Sequence, residues 1–219
     1  MKYGLSYTLI IRLSSFLGRT IFYYRKNEMN FIFKLLESKE NIKILDYGCN
    51  TGYMLNSLKN KFPKFSFTGA DINTHAIKYA RKKYKGIEFY KINESFFKNM
   101  KNKYDVVILS HVLEHVNERQ TLIKGIKRLL KDDNKLIVVI PQERIRGDCT
   151  LLPLFYNFIR LRFENPHVAK INYTELNELL NKANFNIVKH TYTNLFYPFK
   201  SDKKRLDSLS LVVLSERNN

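Results

Sequence analysis

The chain has 219 residues, 44% of them hydrophobic, which suits one domain with a sizeable core. Its 38 Lys and Arg against 20 Asp and Glu give a formal charge of +18, spread along the chain without the long basic block of a nucleic-acid-binding tail. Cys49 and Cys149 are too few for a disulfide framework and match no metal spacing, so the reading is metal-free and set in a reducing cytoplasm.

Residues 1–40 read as an N-terminal helical cap. Leu5, Leu9, Leu13, Phe16/Leu17 and Ile21/Tyr24 follow helical spacing, with Arg12 and Arg19 on another face. Two Arg and a Gly interrupt the stretch, which argues against a transmembrane span, and no cleavage-site pattern follows its short apolar run. Two readings remain: a helix packed over the mouth of a site, or an amphipathic helix in which residues 3–24 rest on a membrane surface. Glu28 to Leu36 reads as a second helix leading into the core.

The stretch Ile42 to Leu58 opens the domain proper, residues 41–219. Ile42, Ile44 and Leu45 form the short apolar run of a central parallel strand, closed by Asp46. Gly48 and Gly52 bracket a tight turn in which backbone can approach a ligand, and Asn50 tolerates the left-handed conformation such turns need. Helical spacing follows through Leu55 and Leu58, and Pro63 helps to end that helix. Neither phosphate-loop nor dinucleotide fingerprint is met. What fits is D-x-G-x-x-x-G with a second acid, Asp71, ending the strand Phe65–Ala70 about 20 residues on, where a carboxylate can accept ribose hydroxyls.

Further along, Asn73–Lys83 reads as a helix, Ile87–Lys91 as a strand, Asp105–Leu109 as a central strand, Glu118–Leu130 as a helix and Lys135–Ile140 as a strand. Such alternation implies a parallel sheet, since each crossover must return over a face. An insertion at about 142–170 is followed by a helix over Asn172–Asn184, capped by Asn172 or Thr174. Two final strands, Phe185–Thr191 and Leu209–Leu214, complete a seven-stranded, doubly wound, mostly parallel α/β sheet.

Taken together, DYGCNTG, GADIN, YDVVILSHVLEHV and LKDDNKLIVVIPQE resemble a class I S-adenosylmethionine-dependent methyltransferase, over roughly Ile42 to Phe185. The likeness is greatest to the small-molecule subgroup that includes ubiquinone- and menaquinone-type, natural-product and sugar enzymes. The resemblance implies S-adenosylmethionine as cofactor, bound by Asp46, Tyr47, Gly48, Cys49, Asn50, Gly52, Tyr53, Asp71, Ile72, Asn93, Glu94, Ser110 and His111. Within that set Asn93 or Glu94 would meet the adenine amino group, with a helix cap as the alternative. The segment at about 142–170 resembles the variable lid of such enzymes, and its Arg144, Arg146, Arg160 and Arg162 could pair with an anionic substrate or with neighbouring acids.

Methyl transfer from a sulfonium is mainly a matter of alignment. A hydroxyl acceptor must also lose a proton, and the base candidates are His111, after the fourth strand, and His167, in a segment resembling a substrate-pocket stretch of related enzymes. His111 to His115 also spells H-x-x-E-H, but the first His follows a strand directly, against a zinc-protease helix. Some quinone-type relatives hold a divalent ion with E-x-x-E-H; His111 replaces the first Glu here. The reading is O-methylation of a small or lipid-like acceptor. The alternatives are a nucleic-acid methyltransferase, against which S-H-V-L stands where an amide-binding N-P-P-Y would be, and a non-catalytic binding module of the same fold.

Overall fold

A computed structural model describes residues 23–142, 168–194, 200–205 and 207–218. In chain order the elements are α1 (Tyr23–Leu36), β1 (Lys43–Tyr47), α2 (Tyr53–Lys61), β2 (Ser66–Asp71), α3 (Thr74–Lys83) and β3 (Glu88–Lys91). They continue with α4 (Phe96–Asn99), β4 (Tyr104–Ser110), a 3-10 turn (Leu113–His115), α5 (Arg119–Leu129) and β5 (Leu130–Pro141). The last are α6 (Tyr173–Asn181), β6 (Phe185–Asn194), β7 (Lys200–Ser201) and β8 (Ser208–Arg217).

One sheet runs in the order β3-β2-β1-β4-β5-β8-β6-β7. The first five of these strands pair in parallel, while β8 runs antiparallel to β5 and β6 antiparallel to β8. Seven strands match the sequence reading, and the eighth is the two-residue β7 on the outer edge.

Alternation along each strand feeds two cores. Val107 and Leu109 of β4 and Leu136, Val138 and Ile140 of β5 point to the face covered by α5 and α6. Val106, Ile108, Ile137 and Val139 point to the other, where α1, α2 and α3 contribute Ile32, Leu36, Leu55, Leu58, Ile77 and Ala80. A strand buried on both faces reads as a continuous apolar run, as β4 and β5 do.

Element boundaries shift by a few residues from the sequence reading. β1 continues through Asp46 to Tyr47, so Asp46 lies within the strand. α5 stops at Leu129 because Leu130 is extended and pairs with Tyr104, lengthening β5 to Leu130–Pro141. Asn172 caps α6: its side chain accepts from the Glu175 N–H, and the Glu175 carboxylate takes the Asn172 N–H. That reciprocal capping box satisfies two of the helix's open donors.

Residues 1–22 and 143–167, and with them most of the expected cap helix and the lid arginines, lie outside the described residues. So does His167. Among the described residues, no helix is long and apolar enough to cross a membrane.

Candidate active site

The strand order reverses between β1 and β4, which opens a crevice at the carboxyl ends of the parallel strands. The turn after β1 fills its floor. Gly48 (φ 89°), Asn50 (φ 47°) and Gly52 (φ 76°) all take left-handed backbone, as the sequence spacing required. A side chain at Gly48 would run into Val112, and one at Gly52 would come within 2.7 Å of the Phe89 ring. Gly52 also begins α2 as its N-cap residue.

Backbone amides tie this turn to β2. The N–H groups of Gly48 and Cys49 donate to the Ala70 carbonyl at 2.7 and 3.0 Å. Asn50 N–H donates to Asp71 Oδ2 at 2.7 Å, and Asn73 N–H donates to Asp71 Oδ1 at 2.7 Å. Asp71 therefore holds the β1 and β2 loops together, and each carboxylate oxygen keeps a lone pair for a further donor. Burial raises its pKa, only partly offset by the amides of Asn73, Asn50 and Ile72.

Asp46 is buried at 1% exposure, and its Oδ1 has no hydrogen-bond partner. Burial, together with the nearby charge of Asp71, pushes its pKa well above the usual carboxylate range. Tyr47 ends β1, and the Cys49 thiol donates to the Asn50 carbonyl at 3.7 Å within the turn. The Tyr47 ring packs at 5.8 Å from Phe97 and 6.0 Å from Phe96, with burial pushing the phenol up to about 12. The Cys49 thiol is buried in the second core, and burial raises its pKa as well.

On the rim, Ile72 is 54% exposed and Tyr53 40% exposed. Asn93 and Glu94 are exposed just beyond β3, and Asn93 Oδ1 accepts from the Ser95 hydroxyl at 3.0 Å. Ser110 ends β4 and is half-buried.

His111 follows with φ 56°, its N–H donating to the Val139 carbonyl at 2.9 Å. Its Nε2 stands 3.2 Å from Glu28 Oε1, a contact across 83 residues of sequence. Its Nδ1 stands 3.4 Å from Glu114 Oε1, within ion-pair range but outside hydrogen-bond geometry. Glu28 is further held by Arg25 Nη1 at 3.1 Å and by the Ser210 hydroxyl, which donates to Oε1. Burial disfavours the charge on Glu28, but Arg25 and His111 outweigh it and lower its pKa to about 2. For His111, burial and Arg25 act against protonation; the two carboxylates prevail and raise its pKa. Burial likewise opposes the charge on Glu114, and the close approach of His111 lowers its pKa on balance.

A carboxylate stands beside each His111 nitrogen, Glu28 at Nε2 and Glu114 at Nδ1, and the two together favour its protonated form. The left-handed backbone at His111 and the single 3-10 turn at Leu113–His115 also keep H-x-x-E-H from forming one α-helical face. Among the described residues no group of three or more His, Cys, Asp or Glu is placed to hold a metal ion. Sequence reading missed Glu28 and Ser210. Neither stands in a motif, and only the packing of α1 and β8 brings them to His111.

A doubly wound sheet, a Gly-bounded turn after β1 and an acid at the end of β2 define a protein built to hold an adenosine-bearing cofactor at its switch point. Residues 19–190 match the family model described as methyltransferase domain, and the chain belongs to that family. Methyltransferase 235L of Invertebrate iridescent virus 6 is 23% identical over 192 residues, covering 84% of this chain and 69% of that protein. A malonyl-[acyl-carrier protein] O-methyltransferase of Acetivibrio thermocellus is 32% identical over 105 residues, covering 46% of this chain and 36% of that protein. The chain therefore spans only about a third of that second relative. The crystal structure of a SAM-dependent methyltransferase from Aquifex aeolicus shares the fold, with TM-score 0.68 and 16% identity over 99% of this chain and 100% of that one.

The protein is an S-adenosylmethionine-dependent methyltransferase, and the described residues suit that cofactor. Asp46 Oδ1 is a buried acceptor lacking a donor. Two of the three large apolar side chains exposed among the described residues, Tyr53 and Ile72, flank the turn where an adenosine would cover them.

Proposed function

We propose that this methyltransferase acts on a small or lipid-like acceptor and transfers the methyl group to oxygen, at the carboxyl ends of β1 and β4. The observation that carries the reading is Asp46 Oδ1, buried and partnerless within a crevice whose other acid, Asp71, still has lone pairs to offer. In this reading the ribose hydroxyls donate to Asp71 and the amino-acid end of the cofactor meets Asp46, Gly48 and Gly52. Ile72 and Tyr53 pack on its faces, Asn93 or Glu94 meets the adenine amino group, and Ser110 with His111 borders the acceptor.

S-adenosylmethionine, when bound, supplies a methyl already activated by its sulfonium, so no residue has to protonate a leaving group. The protein's share is alignment, exclusion of water and management of the acceptor's proton. A carboxylate oxygen needs no base, whereas a hydroxyl does. The carboxylates beside Nε2 and Nδ1 favour the protonated form of His111, and in that form it would set a cation on the rim that suits an anionic acceptor. For a hydroxyl acceptor His167 is the base to test first. The O-methyltransferase name of the Acetivibrio thermocellus relative supports oxygen as the accepting atom.

Calorimetric titration with S-adenosylmethionine and S-adenosylhomocysteine tests the site, followed by a screen of carboxylate and hydroxyl acceptors with labelled methyl donor. Label transfer to carboxylates that survives His167→Ala supports the base-free route. Transfer to carbon or to nucleic acid alone overturns the reading.

A further inference from the structure

The opposite edge of the sheet carries a second feature that the methyltransferase reading does not use. A cleft of about 530 Å³ is lined by Lys101, Lys124, Lys127, Arg128, Lys182 and Arg217, with Asn102, Ala183 and Asn184 between them. Among the described residues no acidic side chain lines it. Its position follows from topology. Lys101 and Asn102 precede β4, Arg128 precedes β5, Ala183 and Asn184 precede β6, and Arg217 ends the antiparallel β8, whose partner there is Phe185. All of these lie at the amino ends of the parallel strands. A seven-residue β4 at about 3.3 Å per residue separates this edge from the Asp46 crevice by roughly 20 Å.

Part of this charge has a local explanation. Lys127 and Arg128 occupy the last turn of α5 and Lys182 the C-cap of α6, where cations complement the helix dipoles. Two helix ends account for about one unit of negative charge between them. Six cations are therefore far in excess. Among the described residues, the side chains of Lys101, Lys124, Arg128 and Lys182 make no ion pair or hydrogen bond. Lys127 Nζ donates to the Ala183 carbonyl at 3.1 Å, which pins that wall of the cleft. Burial and the charge of Arg217 lower the Lys127 pKa, as expected of like charges held close together.

We propose that this amino-edge cleft binds a compact, multiply phosphorylated anion, at a site separate from the methyl-transfer crevice. The volume is that of a small-molecule pocket. Two guanidinium forks and four ammonium groups suit clustered phosphate oxygens. Among the described residues no aromatic side chain lines the cleft to stack a base, which favours a phosphate cluster over a single strand of nucleic acid. The distance to Asp46 makes such a ligand a regulator or a tether of the enzyme, not its acceptor.

The test is calorimetric titration of the full chain with sodium tripolyphosphate, and with single inorganic phosphate and a short single-stranded RNA alongside. Saturable binding near one ligand per chain is expected, tighter for tripolyphosphate than for phosphate and weakened by added salt. The double variant Lys124→Glu/Lys182→Glu should lose affinity on the order of tenfold or more. Both positions are on the surface side of the helices, and unchanged far-ultraviolet dichroism and S-adenosylhomocysteine affinity would show the variant folded. Absent or non-saturable binding, or equal affinity in the double variant, overturns the site. RNA binding tighter than tripolyphosphate, and lost in the same variant, overturns the compact ligand.

Discussion

Glu28 on α1 and His111 at the end of β4 face each other at 3.2 Å, so α1 is bonded directly to the rim of the crevice at the carboxyl ends of β1 and β4. Ser210 on β8 and Arg25 on α1 complete the contact. Glu114 approaches the other ring nitrogen at 3.4 Å, so residues of α1, the end of β4, β8 and the 3-10 turn form one connected cluster. Breaking such a buried pair leaves an uncompensated charge, which costs more than the pair contributes when intact.

Glu28→Gln should destabilise the protein by about 3 kcal/mol, read as the shift in urea midpoint. Its pH dependence has a defined sign. The His111 pKa is raised in the folded chain, so its contribution is fully present below the unfolded value of about 6.5 and is lost as pH rises through the folded value. Glu28, lowered to about 2, contributes above its unfolded value of about 4.5 and fades as pH falls toward 2. The wild-type chain should lose stability on both sides of a plateau. Glu28→Gln should flatten the alkaline limb and lower the His111 pKa in an imidazole NMR titration. An unshifted His111 titration would mean that Glu114 alone holds the proton.

Asp71→Ala should weaken S-adenosylmethionine binding by about 1–3 kcal/mol, through ribose hydroxyls left unpaired. The substitution also strips the acceptor from the Asn50 and Asn73 amides, so thermal stability should fall with it. Asp71→Asn separates the two effects. One side-chain oxygen can still accept from an amide, which should restore part of the stability with less of the affinity. Calorimetry and thermal melts on both variants check this.

The Gly48–Gly52 turn and Asp71 were legible in the sequence because strand, turn and helix are local, and each step has its own residue chemistry. β4 and β5 were legible for the same reason, as apolar runs buried on both faces. Leu130 was misassigned to a helix because an apolar residue at helical spacing looks alike in both settings until it pairs with Tyr104. Glu28 could not be found from its neighbours. It is a lone acid in a helix, and its role exists only once α1 packs against β6 and β8. His111 was legible as a candidate from its place at a strand end, but the sequence does not show the two carboxylates that stand beside its ring.

Gly48→Ala should disrupt the crevice, because it both forces a side chain into φ 89° and drives it onto Val112. A loss of about 2 kcal/mol is expected, with cofactor affinity reduced in parallel. Adding Val112→Ala should relieve the overlap but not the backbone strain, so the double variant should recover only part of the loss. Full recovery would assign the whole requirement for Gly48 to the Val112 contact.

Asp46→Asn should move stability and binding in opposite directions. In the free chain Asp46 is buried beside Asp71, with Oδ1 unpartnered and its pKa raised, so at neutral pH its ionised form works against the fold. The contribution of such a raised acid is present below its unfolded value of about 3.9 and is lost as pH rises through the folded value. Removing the charge should therefore raise the melting temperature of the free protein at pH 7 by about 2–4 °C, the shift that 1 kcal/mol gives a domain of this size. The same change removes the carboxylate that the cationic amino-acid end of the cofactor would meet, so S-adenosylmethionine affinity should drop at least about tenfold. Stability gained at the expense of binding is the signature of a charge kept for its ligand. A melting temperature that falls together with affinity would instead make Asp46 a structural group, and the cofactor's amino-acid end would have to be sought elsewhere along the β1 turn.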